Sequence, residues 1–234
     1  MFTGIVECTG ILEDLRAGLG GVRVVVSPPD DFGLKSRVAL GDSIACNGVC
    51  LTAAALREHS FEADVSAETL ERTAFGRYRV GQELNLELAC TPQSHLGGHF
   101  VLGHVDGVGK VLSAQRQGES LQIWVSFPAA LSPYLAVKGS VAVDGISLTV
   151  NGLREQAFRL DLIPHTQERV RRAQWQTGTP VNLEVDVIAR YLERLMLCGA
   201  MPGRGAAQSA DQLEGGSAVT GEVTAQSLLE NGFF

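Results

Sequence analysis

Ser140-Val-Ala-Val-Asp-Gly-Ile-Ser-Leu-Thr-Val150 is written into the chain twice. Ninety-seven positions earlier stands Ser43-Ile-Ala-Cys-Asn-Gly-Val-Cys-Leu-Thr-Ala53, with five of the eleven residues identical and three more keeping shape or polarity. A repeat at this spacing is a duplicated domain rather than a solenoid, whose units run about 20 to 50 residues. Working outward, Phe2–Gly10 matches Val101–Gly109 at an offset of 99. Thr69–Arg72 then matches Thr166–Arg169, and Asn85–Glu87 matches Asn182–Glu184, both at 97. The chain therefore divides into a first copy over 1–96, a second over 97–186, a helix over 187–199 and a tail over 200–234.

Within each copy the segments are short, rich in β-branched residues and punctuated by Gly, Pro, Asn or Asp. Gly21–Val26, Phe61–Val65, Leu121–Phe127, Phe158–Ile163 and Val181–Val187 read as strands. With no strong helical periodicity between them, the pattern predicts an all-β fold, an antiparallel barrel or sandwich in each copy. Asn47-Gly48 and Asp144-Gly145 between apolar runs signal hairpin turns. Alternation puts Ile146, Leu148 and Val150 on one face and Ser147 and Thr149 on the other; Val49 and Leu51 against Cys50 and Thr52 repeat it. Val187, Ile188, Tyr191, Leu192, Leu195 and Met196 mark an amphipathic helix ending near Gly199. Met201 to Gly221, rich in Gly, Ala, Ser and Gln, reads as a flexible tail, followed by a short helix from Thr224.

The chain has 234 residues, 45% hydrophobic and 19% charged, enough for two small cores. A net charge of −7 argues against nucleic-acid or anionic-membrane binding. Five cysteines, Cys8, Cys46, Cys50, Cys90 and Cys198, are an odd number without a regular framework, which suits reduced thiols in the cytoplasm. No signal peptide, membrane-spanning run or metal-ligand pattern is evident.

Chemistry concentrates in the second copy. His104 stands where the first copy has Ile5, and Asp186 where it has Ala89. A lone strand histidine such as His99 is more often structural than catalytic, His104 gains weight from its unmatched position, and Asp186 reads first as a solvated carboxylate or a cap for the following helix. Ser147, Thr149, His104 and Asp186 together form a candidate acid–base set. There is no Gly-x-Ser-x-Gly elbow, Walker loop or dinucleotide fingerprint.

Met1-Phe-Thr-Gly-Ile-Val-Glu7, Asn47-Gly-Val-Cys-Leu-Thr52, Gly97-Gly-His-Phe-Val-Leu-Gly-His-Val-Asp-Gly107, Asp144-Gly-Ile-Ser-Leu-Thr149, Leu162-Ile-Pro-His-Thr166 and Val181-Asn-Leu-Glu-Val-Asp186, in this order, resemble riboflavin synthase of the α-chain type. The resemblance covers residues 1 to 197 or so. It implies two similar six-stranded Greek-key barrels, a C-terminal helix holding a homotrimer, and contact with lumazine synthase. The implied reaction is a dismutation of 6,7-dimethyl-8-ribityllumazine without metal or cofactor. By the same resemblance Phe2, Gly4, Val6, Ser43, Cys50, Thr52 and Thr69 line a first site. Lys138, Ser147, Thr149, Ile163, Thr166 and Asp186, with His104, line a second. The implied roles make His104, helped by Thr149, a base; Ser147, polarised by Asp186, delivers a nucleophile or water; Cys50 acts across the interface. Leu88 and Gln167 depart from the family pattern, where an arginine and an apolar residue are commoner. The competing reading is a non-catalytic lumazine or flavin holder of the same fold; a reductase barrel is more distant, since no nicotinamide domain follows.

Overall fold

A computed structural model describes residues 1–18, 20–164 and 175–198. Six strands form the first copy: β1 (Cys8–Gly18), β2 (Gly21–Ser27), β3 (Ser43–Cys46), β4 (Val49–Leu56), β5 (Phe61–Ser66) and β6 (Glu83–Leu88). They close into a barrel in the order β1-β2-β5-β4-β3-β6, all neighbours antiparallel. Alternation along β4 buries Val49, Leu51 and Ala53 and turns Cys50, Thr52 and Ala54 outward, as the sequence predicts. Leu12, Val24, Ile44, Phe61, Phe75 and Leu86 fill the interior.

The second copy repeats this order with one difference. Its strands are β7 (Gly107–Gln117), β8 (Ser120–Ser126), β9 (Ser140–Val143), β10 (Ile146–Thr149), β11 (Gly152–Arg154), β12 (Ala157–Leu162) and β13 (Pro180–Val185). They form a seven-stranded sheet, β10-β9-β13-β7-β8-β12-β11, in place of the six continuous strands expected. β10 and β11 together stand for β4, broken at Val150-Asn151. The first copy bulges at the same place, between Ala53 and Ala55. In the second, the Asn151 side chain accepts the Asp161 N–H (3.0 Å), taking over a ladder bond, while the Asn151 N–H reaches Arg159 O (2.8 Å). A bulge that recruits a side chain becomes a break, and the sheet's two edges are joined by the chain itself.

The two hairpin tips meet. Asn47 (φ 45°) with Gly48 (φ 77°), and Asp144 (φ 47°) with Gly145 (φ 80°), have the left-handed pairs of a type I′ turn. A Cβ on Gly48 would lie 2.6 Å from the Gly145 nitrogen, and one on Gly145 2.8 Å from the Gly48 nitrogen. Only glycine fits at either tip. Asparagines stitch across: Asn85 Nδ2–H donates to Asp144 O (3.0 Å) and Asn182 Nδ2–H to Asn47 O (2.9 Å). Within its own copy Asn47 Oδ1 accepts the Asn85 N–H (2.7 Å), and Asp144 Oδ1 accepts the Asn182 N–H (2.8 Å).

Here the copies diverge in a matched way. Asn47 donates its Nδ2–H to Tyr78 Oη (2.9 Å), whereas Asp144 accepts from Trp175 Nε1–H (2.9 Å). Tyr78 and Trp175 are themselves 97 apart. An ionised carboxylate only accepts and an indole only donates, so the two changes fit as a pair. Burial pushes the Asp144 carboxyl up to about 7, against the two N–H donors that favour its charge.

The helix Val187–Leu197 follows, capped by Asp186, whose Oδ1 accepts the Ile188 N–H (2.9 Å). Arg190 pairs with Asp106, and Tyr134 Oη–H donates to Glu193 (2.5 Å), seating one face on the second copy. Ile188, Tyr191, Leu192, Leu195 and Met196 remain exposed. The expected tail and its short helix lie outside the described residues.

Replacing Asn182 by alanine orphans Ala74 N–H (donor to Asn182 Oδ1, 2.7 Å) and Asn47 O. The expected cost is about 3 kcal/mol of unfolding free energy, read from urea melts. Asp144 gives a pH test. Its folded pKa is raised, so folding takes up a proton between about pH 4 and 7 and the stability it confers is lost as pH rises through that window. Over that interval the wild type should lose more stability than Asp144→Asn.

Candidate functional site

Each copy opens with a segment that crosses to the other. In the first, Glu87 accepts the Thr3 N–H (2.6 Å), the Thr3 hydroxyl (2.7 Å) and the Gly4 N–H (3.0 Å). In the second, Glu184 accepts the Leu102 N–H (2.5 Å) and Gly103 N–H (2.9 Å). Burial raises both carboxyls, Glu184 to about 7, against these donors. The far side of each segment meets the opposite copy: Ser147 N–H donates to Gly4 O (2.8 Å) and Cys50 N–H to Gly103 O (2.9 Å). Val6 joins the second core, and Val105 packs on the first. Between the segments, Phe2 and Val101 exchange backbone bonds of 2.7 and 3.1 Å.

This exchange decides which residues come together. Cys50, Thr69 and His104 line one cleft of about 270 Å³, with Glu68 and Arg72. Ser147, Thr149 and Ile163 line another of about 320 Å³, with Asn151 and Asp161. Expected with Ser147, Thr149 and Asp186, His104 instead stands beside Cys50 in the first of these clefts and, in a third of about 350 Å³, beside Glu184, Val185 and Val187 of the second copy, apart from Ser147 and Thr149. Conversely Gly4 and Val6, read with the first site, lie against the second. Residue matching between copies finds equivalent positions but is blind to a crossing of chains.

The other expected residues are spread more widely. Thr52 is exposed on the outward face of β4. Ser43 lines a broader cleft of about 870 Å³ with Thr3, Glu87, Cys90 and His95. Phe2 is fully buried against Ala45, Val101 and Ala142, worth about 3 kcal/mol by burial, so its ring supports the segments rather than facing solvent. Lys138 is exposed and holds φ 72° where the first copy has Gly41 (φ 90°); its N–H bonds Val150 O (2.7 Å). Lysine in this region is strained, which marks the position as special. Asp186 is the helix cap, and Thr166, like Gln167, lies outside the described residues.

His99, read from the sequence as a structural strand residue, proves to touch Ser147. Its Nδ1 lies 2.7 Å from Ser147 Oγ, and burial lowers the ring's pKa while the nearby Asp186 charge opposes that shift. The available signal was Gly97-Gly98. A Cβ on Gly98 would fall 2.1 Å from Thr3 O and 2.7 Å from Ser147 Cβ, so glycine brings the backbone close enough for the ring to reach. Among the described residues no three His, Cys, Asp or Glu side chains gather as a metal site.

Comparison with known proteins agrees with this duplicated architecture. The lumazine binding domain model matches twice, over residues 3–89 and 102–186. The chain is 44% identical over 214 residues to riboflavin synthase of Photobacterium phosphoreum, covering 92% of this chain and 97% of that one. It is 35% identical over 196 residues to riboflavin synthase of Bacillus subtilis (strain 168), covering 84% and 90%. A crystal structure of LumP complexed with 6,7-dimethyl-8-(1'-D-ribityl) lumazine matches with a TM-score of 0.71 at 23% identity, over 79% of this chain and 99% of that one, a likeness of fold. Two lumazine binding domains, interlocked through exchanged segments, thus define the class. Within it, the chain belongs to the riboflavin synthase family, whose members are transferases.

Gly4 (φ 76°) and Gly103 (φ 79°) sit at the crossings, where a Cβ would lie 2.6 Å from Ser147 Cβ and 2.5 Å from Cys50 Cβ. Gly4→Ala and Gly103→Ala should each cost about 2 kcal/mol or more, from overpacking and backbone strain. Thermal melts alongside lumazine titrations check this; Gly103→Ala should disturb the Cys50 cleft more than the Ser147 groove.

Proposed function

We propose that the chain converts two molecules of 6,7-dimethyl-8-ribityllumazine into riboflavin and 5-amino-6-ribitylamino-2,4-pyrimidinedione, by passing a four-carbon unit from one to the other. Atoms balance between the two substrates and two products, so the reaction draws on no outside oxidant or carbon source. The observation that carries this reading is the pair of equivalent outward faces, Cys50 with Thr52 and Ser147 with Thr149, each beside a groove. A reaction between two copies of one molecule needs two such sites.

In this reading His104 removes a proton from the acidic 7-methyl group of one lumazine, beside Cys50 and Thr69. Ser147, Thr149 and Asp186 serve the partner ring, and by family resemblance Lys138, Ile163 and Thr166 are assigned to the same ligand. Holding two ring systems in register supplies much of the rate, since effective molarities reach about 10⁵ M or more. The reacting pair lies between the N-terminal barrel of one subunit and the C-terminal barrel of its neighbour. A homotrimer is supported by the exposed apolar stripe Ile188, Tyr191, Leu192 and Leu195 on the last helix. A cytoplasmic setting suits the five free cysteines, and contact with lumazine synthase rests on family resemblance alone.

Purified protein mixed with this lumazine alone should form one riboflavin per two lumazines consumed. His104→Ala and Asp186→Ala should each lower kcat by about 100-fold, within the usual range for a lost acid or base. Unchanged turnover in both would remove these assignments, and ligand bound without turnover would leave a lumazine holder of the same fold. Leu192→Asp with Leu195→Asp should yield monomers, by light scattering, that bind lumazine but no longer convert it.

A further inference from the structure

Ser147 meets an imidazole that the scheme above leaves unused. His99 Nδ1 is 2.7 Å from its hydroxyl oxygen, and the residue is 7% exposed. His99 Nε2 is buried with no hydrogen-bond partner among the described residues. That orphan atom decides the direction of the bond. A neutral imidazole carries one N–H. If the proton sat on Nε2, Nδ1 would accept from the serine and a buried N–H would go unpaired. If it sits on Nδ1, the ring donates to Ser147 and only a lone pair goes unpaired. Orphaned buried donors are rarer than under-satisfied acceptors, so the second arrangement wins. The imidazolium form would also donate at Nδ1, so protonation leaves the direction unchanged.

We propose that His99 is a positioning residue: by donating its Nδ1–H to Ser147 Oγ, it turns the serine's own proton toward the groove shared with Thr149 and Ile163. Ser147 is then a hydrogen-bond donor to the ligand, not a nucleophile or a carrier of water. Its natural target is a carbonyl oxygen or ring nitrogen, where negative charge gathers after loss of a methyl proton. Asp186 keeps its own place in that scheme: it caps the helix through Oδ1, and its charge bears on the His99 ring. The inference rests on the lumazine-binding reading of this groove.

The tautomer is measurable directly. In full-length protein with ¹⁵N-labelled histidine, ring nitrogen shifts separate the Nδ1–H from the Nε2–H form, and His99→Asn identifies the signal. The Nδ1–H form is expected, and the Nε2–H form overturns the proposal. Kinetics give a second reading. The amide of His99→Asn donates from near the Nδ1 position and should hold kcat within about threefold, whereas His99→Leu should lower it about tenfold or more. In a Ser147→Ala background, His99→Leu should add less than about twofold, because it acts through the serine. Equal losses in both backgrounds, or an asparagine variant as poor as the leucine one, overturn the proposal. If wild-type protein binds 6,7-dimethyl-8-ribityllumazine without converting it, the proposed reaction fails. The same variants, read as lumazine dissociation constants, still decide the role of His99. Should His99→Leu not fold, the tautomer and the asparagine variant decide it.

Discussion

Two left-handed turns pressed tip to tip hold the molecule in its shape. Neither Gly48 nor Gly145 tolerates a side chain, since each would strike the other's backbone nitrogen. Around them Asn85 and Asn182 reach across to the opposite turn, at full burial. A buried amide left unpaired costs about 1–3 kcal/mol, so the contact is held at one distance and one angle. The exchanged segments, the Phe2–Val101 bridge and the two clefts all depend on that fixed geometry.

Symmetry is close where the copies touch and looser along the two clefts. Glu87 and Glu184 grip their segments alike, and Ser147 and Cys50 use their backbone N–H groups alike. Their side chains differ: the serine hydroxyl has an imidazole beside it, while the thiol shares its cleft with His104. Even within the symmetric centre, Asp144 with Trp175 replaces Asn47 with Tyr78. That substitution reverses which partner donates and puts a carboxyl at full burial.

Much of this was legible in the residues. Alternation gave the faces of β4 and β10, Asn-Gly and Asp-Gly gave the turns, and the apolar spacing after Val187 gave the helix. The break at Asn151 was not, because it hangs on one side chain replacing a backbone acceptor. The separation of His104 from Ser147 and Thr149 was not legible for a different reason: strand periodicity says which way a side chain points, not which barrel its segment lies on. The contact of His99 with Ser147 was not legible because the two are 48 residues apart, and its ring nitrogen without a partner among the described residues shows only in three dimensions.

The crossing of Val6 into the second core and of Val105 onto the first has a consequence for ancestry. A single copy of this fold has nowhere to bury its opening valine except in a second molecule. Duplication supplies, within one chain, the partner that such a pairing needs. A dimer of identical chains must change both halves together. Once tethered, each half was free to vary alone, and a histidine appearing opposite one cysteine no longer required another opposite its twin.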